Sequence, residues 1–443
     1  MHKQFLSFLL AAEFAGRLAA GPIPPPSTGY GAHGSFAVAI EQFPSPLWPA
    51  SNVTVYRPAG AGGPVPTIFF AHGYQGTSPI YYEALLSHLA SRGYAAVFSP
   101  YKTVDTSDLS RYLTMAAGFV AAVDSYPQYL DSSRVGFAGH SFGAGAIPSL
   151  ARRGIVDEGW GADGAFMFSM APWYSYDITQ EELWTFPSNV KLVMQNFDDD
   201  RVNDHRMAVD IFENINIADS EKDFVTLYSD TNAAGALAAD HLVPLGATGT
   251  QFTDALDYYG IHRLIDALAD YAFTGNLDGK NVALGNGSPE QTFMGNWPNM
   301  TPVRPLTVTD NPAVAYAQSE FTFPWASAYN PRLGVAPGCI AGDVDCDGNV
   351  DFQDFLMLQA TFGTTSGAVR SDGDLDDDQD VDIQDFFILQ ANFGAMTADE
   401  MMASDIRALT AVPEPATLVL LVLGACGAAA WRLRQWRNRR EVA

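Results

Sequence analysis

Cysteine is nearly missing from this chain: there are three in 443 residues and none before Cys339. That excludes a disulfide-stapled scaffold and leaves the fold to a hydrophobic core. Positive charge is scarce too, with 24 Lys and Arg against 50 Asp and Glu and a net charge of −26. Arg432, Arg434, Arg437, Arg439 and Arg440 crowd the C-terminal tail. No basic face remains elsewhere, so the chain is not built to bind nucleic acid. Long apolar runs are missing until the same end, where Ala416–Trp431 carries no charge. Its 16 residues fall short of the roughly 20 that a stable span needs.

What the chain does have is apolar pattern in two alternating periods. Pro66–Ala71, Ala95–Ser99, Arg134–Ala138, Val190–Gln195 and Asp223–Tyr228 read as short buried strands. Between them, Tyr81–Arg92 sets Leu85, Leu86 and Leu89 on one helical face and stops at Gly93, and Leu109–Ser125 and Leu256–Tyr271 carry further helical patterns. Strands alternating with helices predict an α/β fold with a doubly wound, mostly parallel sheet. The pattern fills one large domain that ends at about Gly275.

The strand Arg134–Ala138 leads into Gly139-His140-Ser141-Phe142-Gly143 and then into small residues and a helix. Gly-x-Ser-x-Gly in that context is a nucleophile elbow, a turn so tight that a side chain on either flank would collide. A hydroxyl near neutral pH is a poor nucleophile, so it needs a base, and the base needs an orienting acid. The order Ser, acid, His continues downstream. Val190–Gln195 runs into Asp198-Asp199-Asp200-Arg201-Val202. An acid in the turn beyond a strand suits the role. Asp200 is preferred because apolar Val202 follows it by two, with Asp199 and Asp198 next. His241, after the Ala- and Gly-rich loop Ser229–Asp240, is the candidate base. Of the other seven His, His205 follows the acid turn, His88 and His262 fall in helical patterns, and His140 sits inside the elbow. The turn His72-Gly73-Tyr74 closes an earlier strand. In this arrangement the backbone N–H groups of Tyr74 and Phe142 form the oxyanion hole.

At this point a resemblance becomes visible. Asp131–Ser141, Ala171-Pro172-Trp173 and His72-Gly73-Tyr74 resemble the cutinase-like and polyester-hydrolase branch of the α/β-hydrolases over roughly Pro66–Gly275. The resemblance implies a carboxylic ester hydrolase, lipase-like in substrate, acting on a lipid, a small ester or a polyester. Ser141 would be its nucleophile, Asp200 its acid and His241 its base. Trp173 and Tyr74 would line the substrate. The chain departs from that branch at Phe142, where Met is usual, and in Tyr174–Asp177. It also has no Cys to form the disulfide often found near the end of the catalytic domain.

A second feature is an internal repeat. Asp343, Asp345, Asp347, Asn349, Asp351 and Asp354 fall at positions 1, 3, 5, 7, 9 and 12 of a calcium-type loop, with Gly348 at position 6. Asp374, Asp376, Asp378, Asp380, Asp382 and Asp385 repeat the pattern 31 residues later, with Gln379 at position 6. An apolar helix ending in Phe-Gly follows each loop (Phe362-Gly363, Phe393-Gly394). So many carboxylates repel one another without a cation, so folding should be coupled to Ca²⁺. Asp at position 12 makes the pair resemble a dockerin type I domain. The resemblance implies a small all-α calcium-binding module and a cohesin-like partner. The hydroxyl pair that this family carries at positions 10 and 11 is replaced by Phe352-Gln353 and Ile383-Gln384. Cys339 and Cys346 are close enough in sequence to pair in an oxidising compartment.

The termini complete the plan. Val412-Pro413-Glu414-Pro415, the apolar stretch and the Arg-rich tail resemble a PEP-CTERM sorting signal. That implies an exosortase-type sorting enzyme as partner and a C-terminal membrane helix, its basic tail on the cytoplasmic side. Lys3 and the apolar run Phe5–Ala12 suit a signal peptide. The expected partition is a signal peptide over 1–20, a catalytic domain over 21–275, a β-like extension and linker over 276–337, a dockerin-like module over 338–395, a linker over 396–412 and the sorting signal over 413–443. The enzyme would then be exported to the cell envelope or surface and anchored there at least transiently. Two other readings use the same residues: a non-catalytic scaffold acting through the Asp-rich module, and a serine peptidase or acyltransferase on the same triad.

Overall fold

The computed structural model describes residues 23–246, 253–333, 342–344, 350–368, 372–375 and 379–394. The candidate signal peptide and sorting signal, and Cys339 and Cys346, lie outside them.

The strands are β1 (Val38–Pro44), β2 (Asn52–Pro58), β3 (Val65–Ala71), β4 (Ala95–Phe98), β5 (Leu130–His140), β6 (Gly164–Met170), β7 (Lys191–Phe197), β8 (Lys222–Leu227), β9 (Asp230–Asn232), β10 (Gly235–Leu237) and β11 (Thr307–Thr309). Nine of them form one sheet in the order β1-β2-β4-β3-β5-β6-β7-β8-β11. The six from β4 to β8 are mutually parallel, and β1, β2 and β11 are antiparallel additions at the edges.

Side chains on a strand alternate between faces, and here both faces are buried. Ile68 and Phe70 of β3 enter one core with Leu85, Leu86 and Leu89 of α1 (Glu83–Arg92) and Leu264, Ile265 and Leu268 of the helix Arg263–Thr274. Phe69 and Ala71 enter the other core with Tyr112, Met115 and Phe119 of α2 (Asp108–Ser125) and Ile147 and Leu150 of α3 (Phe142–Arg152). A sheet covered twice needs continuous apolar strands, which is why its sequence lacks hydrophobic–polar alternation.

The helix boundaries have local causes. Gly93 ends α1 at φ 100°, with Gly93 N–H donating to Ala90 O and Tyr94 N–H to Leu89 O. Ser107 caps α2 by accepting from Ser110 N.

The chain leaves β3 for β4 through α1 on one face, then returns through α2 on the other face to β5, on the far side of β3. The C-terminal ends of β3 and β5 therefore sit at the point where the winding reverses, the usual crevice for ligands in such sheets.

Three elements differ from expectation. The helix expected over 256–271 begins with a wider π-wound stretch, Leu256–His262, before Arg263–Thr274. The loop 229–240 holds the small hairpin β9–β10. Among its described residues, the β-like extension is mostly helix and turn, with helices Leu277–Ala283 and Pro289–Thr292 and one strand, β11. Val303–Val308 has strand character in sequence, but Pro302 and Pro305 remove ladder donors, so only Thr307–Thr309 pairs and Val303 and Leu306 are buried as core residues. This stretch is tied to the helix Arg263–Thr274. Arg263 Nη1 and Nη2 donate to the carbonyls of Glu290, Gln291 and Phe293 at 2.6–2.8 Å.

The Asp-rich repeat holds a separate small core of Val344, Val350, Leu358, Ala368, Leu375, Val381 and Leu389. Its helices are Phe352–Thr361 and Ile383–Asn392. Gly363 N–H donates to Val381 O and Gly394 N–H to Val350 O, so each helix end is tied to the opposite loop. That cross-pairing accounts for the recurring Phe-Gly.

Candidate active site

Ser141 lies between β5 and α3 with φ 56° and ψ −120°, a strained backbone for a residue with a side chain. The neighbours explain how it is held. A Cβ on Gly143 would meet Ala71 O at 2.1 Å, and one on Gly139 would meet Gly143 C at 2.8 Å. Only glycine lets the start of α3 close onto the end of β3. Ser141 N–H donates to Met170 O, and Ser141 O accepts from Gly145 N and Trp173 N at 2.9–3.0 Å.

His241 Nε2 is 2.9 Å from Ser141 Oγ, and His241 Nδ1 is 2.6 Å from Asp200 Oδ2. All three side chains are buried. Asp200 Oδ1 accepts from Val202 N and Asn203 N at 2.7 and 3.2 Å. Burial raises the Asp200 pKa, but the facing His241 ring and the Val202 amide outweigh it, so the carboxyl is held below its usual range. The other two candidate acids face elsewhere. Asp198 Oδ1 accepts from the Tyr316 hydroxyl at 3.0 Å, and Asp199 Oδ2 accepts from Ser229 Oγ.

The candidate oxyanion turn His72-Gly73-Tyr74 stands beside the serine, since a Cβ on Gly73 would lie 3.3 Å from Ser141 Cβ. Among the described residues, no acceptor takes the N–H of Tyr74 or Phe142. His72 stiffens the turn. Its ring stacks on Tyr101 at 4.1 Å, its Nδ1–H donates to Gly73 O and its Nε2 accepts from Tyr101 N. Burial lowers the His72 pKa to about 4, so the ring stays neutral.

A hydrogen-bond chain connects this turn to the base. Gly73 N–H donates to Tyr82 Oη, Tyr82 O–H donates to His140 Nδ1 (3.0 Å), and His140 Nε2–H donates to His241 O (2.8 Å). Burial and the adjacent His241 lower the His140 pKa to about 3. His140 therefore ties the loop that carries His241 to the turn His72-Gly73-Tyr74.

Aromatic rings cluster near the elbow. The Tyr74 hydroxyl donates to Thr103 O, and the Arg111 guanidinium stands 5.3 Å from the Tyr74 ring and 5.6 Å from Phe142. Trp173, whose backbone N–H donates to Ser141 O, is half-buried and in ring contact with Phe323. Sequence reasoning missed three participants. Tyr82 was read only as part of a helix. Asn203, whose Nδ2 donates to Ala171 O and lies 3.5 Å from Ser141 Oγ, carries no motif. Phe323 comes from the segment expected to be a β-like extension and linker.

Asp380, Asp382 and Asp385 bring carboxylate oxygens within 4.8 Å of one another. Asp354 accepts from Val344 N and Asp351 N, and Asp385 accepts from Leu375 N and Asp382 N in the same way. Asp374 Oδ2 accepts from Gln379 N at 2.9 Å, and Asp343 is buried. Asp345, Asp347, Asn349, Asp376 and Asp378 lie outside the described residues.

Residues 411–435 match the PEP-CTERM protein-sorting motif. The motif implies export, anchoring at the surface or membrane, and recognition by an exosortase-type sorting enzyme. No curated protein matches the chain. Among the described residues, no helix is long and apolar enough to cross a membrane; the apolar stretch 416–431 falls outside them.

Proposed function

We propose that the chain is an exported serine hydrolase that cleaves carboxylic esters, of the lipase, cutinase or polyester-hydrolase kind, on an α/β-hydrolase fold. The observation that carries this reading is the continuous line Ser141 Oγ, His241 Nε2, His241 Nδ1, Asp200 Oδ2 with links of 2.9 and 2.6 Å. It stands at the winding reversal of the sheet, on a strained elbow.

In the reaction, His241 Nε2 takes the Ser141 proton as Oγ attacks the ester carbonyl. Asp200 fixes the ring with Nδ1–H toward itself and stabilises the imidazolium that forms. The Tyr74 and Phe142 amides receive the oxyanion, each donor contributing about 3–4 kcal/mol at the transition state. The C–O bond breaks and the alcohol leaves with the proton from His241. Water then enters with His241 as base and releases the acid from Ser141.

The test is hydrolysis of p-nitrophenyl esters from C2 to C16 by the wild type and Ser141→Ala. Turnover that disappears in the variant supports the reading. Turnover that persists, or no ester turnover by the folded wild type, overturns it and favours a scaffold, a peptidase or an acyltransferase.

The Asp-rich repeat supports a second, independent proposal, a dockerin-like module that binds Ca²⁺. Its donors are carboxylate oxygens, which suit a hard cation, and three of them converge at Asp380, Asp382 and Asp385. With Asp374, Asp376 and Asp378 these would hold one ion. Asp343, Asp345, Asp347, Asn349, Asp351 and Asp354 would hold the other. A cohesin-like domain is the proposed partner of the module, and the apolar stretch 416–431 is the proposed membrane segment.

A further inference from the structure

The segment Tyr316–Arg332 crosses the turn that carries the triad acid. Thr322 N–H donates to Arg201 O at 2.8 Å and Phe323 N–H to Val202 O at 2.9 Å. Asp204 N–H donates to Phe323 O, and Trp325 N–H to the buried Asp204 Oδ2. Asn203 and Phe323 form a parallel bridge. Four consecutive residues beyond Asp200 are thus paired to this strap.

Both flanks of the strap are pinned. On the N-terminal side Tyr316 Oη donates to Asp198, with the Arg201 guanidinium 3.7 Å from its ring. On the C-terminal side Tyr174 O–H donates to Pro324 O at 2.6 Å, Tyr176 O–H to Tyr329 O at 3.0 Å, and the buried Arg332 forks onto the buried Asp210. The result is to hold the Phe323 ring 4.0 Å from Trp173, tilted by 50°. At that separation the two rings touch, and no ligand group fits between them.

Trp173 is fixed beside the nucleophile through its N–H to Ser141 O. Phe323 is half-buried and belongs to neither large core of buried side chains. Phe323 is thus a large, partly exposed apolar ring held by its backbone against Asn203, whose Nδ2 lies 3.5 Å from Ser141 Oγ, and it is not used to fill either core.

We propose that Phe323 is a substrate-contacting, specificity-determining residue. With Trp173 it forms one apolar wall for a compact group on the ester carbonyl, aryl or short acyl, and the strap blocks an extended chain from running over Val202. This inference rests on the ester-hydrolase reading above.

The experiment uses the full chain with Phe323→Ala and Phe323→Leu, on p-nitrophenyl acetate, butyrate, benzoate and dodecanoate. Phe323→Ala raises KM for butyrate and benzoate roughly tenfold. It improves dodecanoate relative to butyrate; Phe323→Leu falls between, keeping the test open if the alanine variant does not fold. A uniform fall in kcat on all four esters with a lowered Tm would mean that Phe323 only supports the fold. A folded Phe323→Ala with the wild-type chain-length profile would also overturn the proposal.

Rates of inactivation by short- and long-chain alkyl phosphonates separate this claim from the one beneath it. A wild type that no phosphonate labels removes the nucleophile reading, and this inference with it. A wild type that is labelled, with chain-length selectivity unchanged in Phe323→Ala, removes this inference alone.

Discussion

Three neighbouring carboxylates compete for one role in this chain, and only Asp200 reaches His241. Asp200→Asn should lower kcat about ten-thousandfold, because the base loses the partner that fixes its tautomer. Asp198→Asn and Asp199→Asn should stay within about tenfold, since their partners are Tyr316 and Ser229. Steady-state kinetics on one ester checks all three. A second residue-level prediction concerns Asp223. It accepts from Gln291 Nε2 and Asn286 N, and burial pushes its pKa up to about 6 from 3.8. Between those values the native state keeps a proton that the unfolded state has released, so stability falls as pH rises through the window. Asp223→Asn should therefore raise stability at pH 7 by about 1–3 kcal/mol and flatten the profile between pH 4 and 6, read by thermal melts. An unchanged slope would contradict it. Ser141, Asp200 and His241 could be nominated from the sequence because each chemical role has a chain order and a strand-end context. Asn203 and Tyr82 could not, because their parts depend on which backbone groups happen to lie opposite them.

At the scale of elements, the apolar strands and their alternation with helices were readable from period and composition. What escaped was set by local backbone chemistry. Prolines kept Val303 and Leu306 out of a strand, and the hairpin β9–β10, three residues a side, is too short for a periodic signal. The second Asp-rich loop is strained in a way the sequence did announce. Gln379 stands where the first loop has Gly348, and its φ is 72°. A side chain in that region costs about 1 kcal/mol. Gln379→Gly should therefore tighten Ca²⁺ binding at the second loop about fivefold, within the range of that strain. Calorimetric titration would detect it, and equal or weaker binding would contradict the assignment of that loop.

For the whole molecule, the stretch beyond Gly275 is tied to the sheet body by the pairing of β11 with β8, by scattered backbone hydrogen bonds and by one buried ion pair, none of which leaves a periodic trace in the sequence. Breaking that pair with Arg332→Ala would strand the buried Asp210 and should cost the catalytic body about 3–5 kcal/mol, seen as a lower Tm of the main transition. The Asp-rich module should behave differently. On the proposed Ca²⁺ reading, chelation should unfold it, because carboxylates so crowded repel one another without a cation, while ester turnover of the full chain stays within about twofold. Loss of both together would place the module inside the catalytic body. Export, implied by the sorting motif at 411–435, would put both activities on the far side of the membrane from the basic tail.

The central claim is a covalent acyl intermediate on Ser141. Rapid quenching of the wild type with p-nitrophenyl butyrate, followed by peptide mass mapping, reads it directly. The account predicts one butyryl group, on the peptide that contains Ser141, and none in Ser141→Ala. Product release with no trapped acyl group, or an acyl group on another residue, would contradict it.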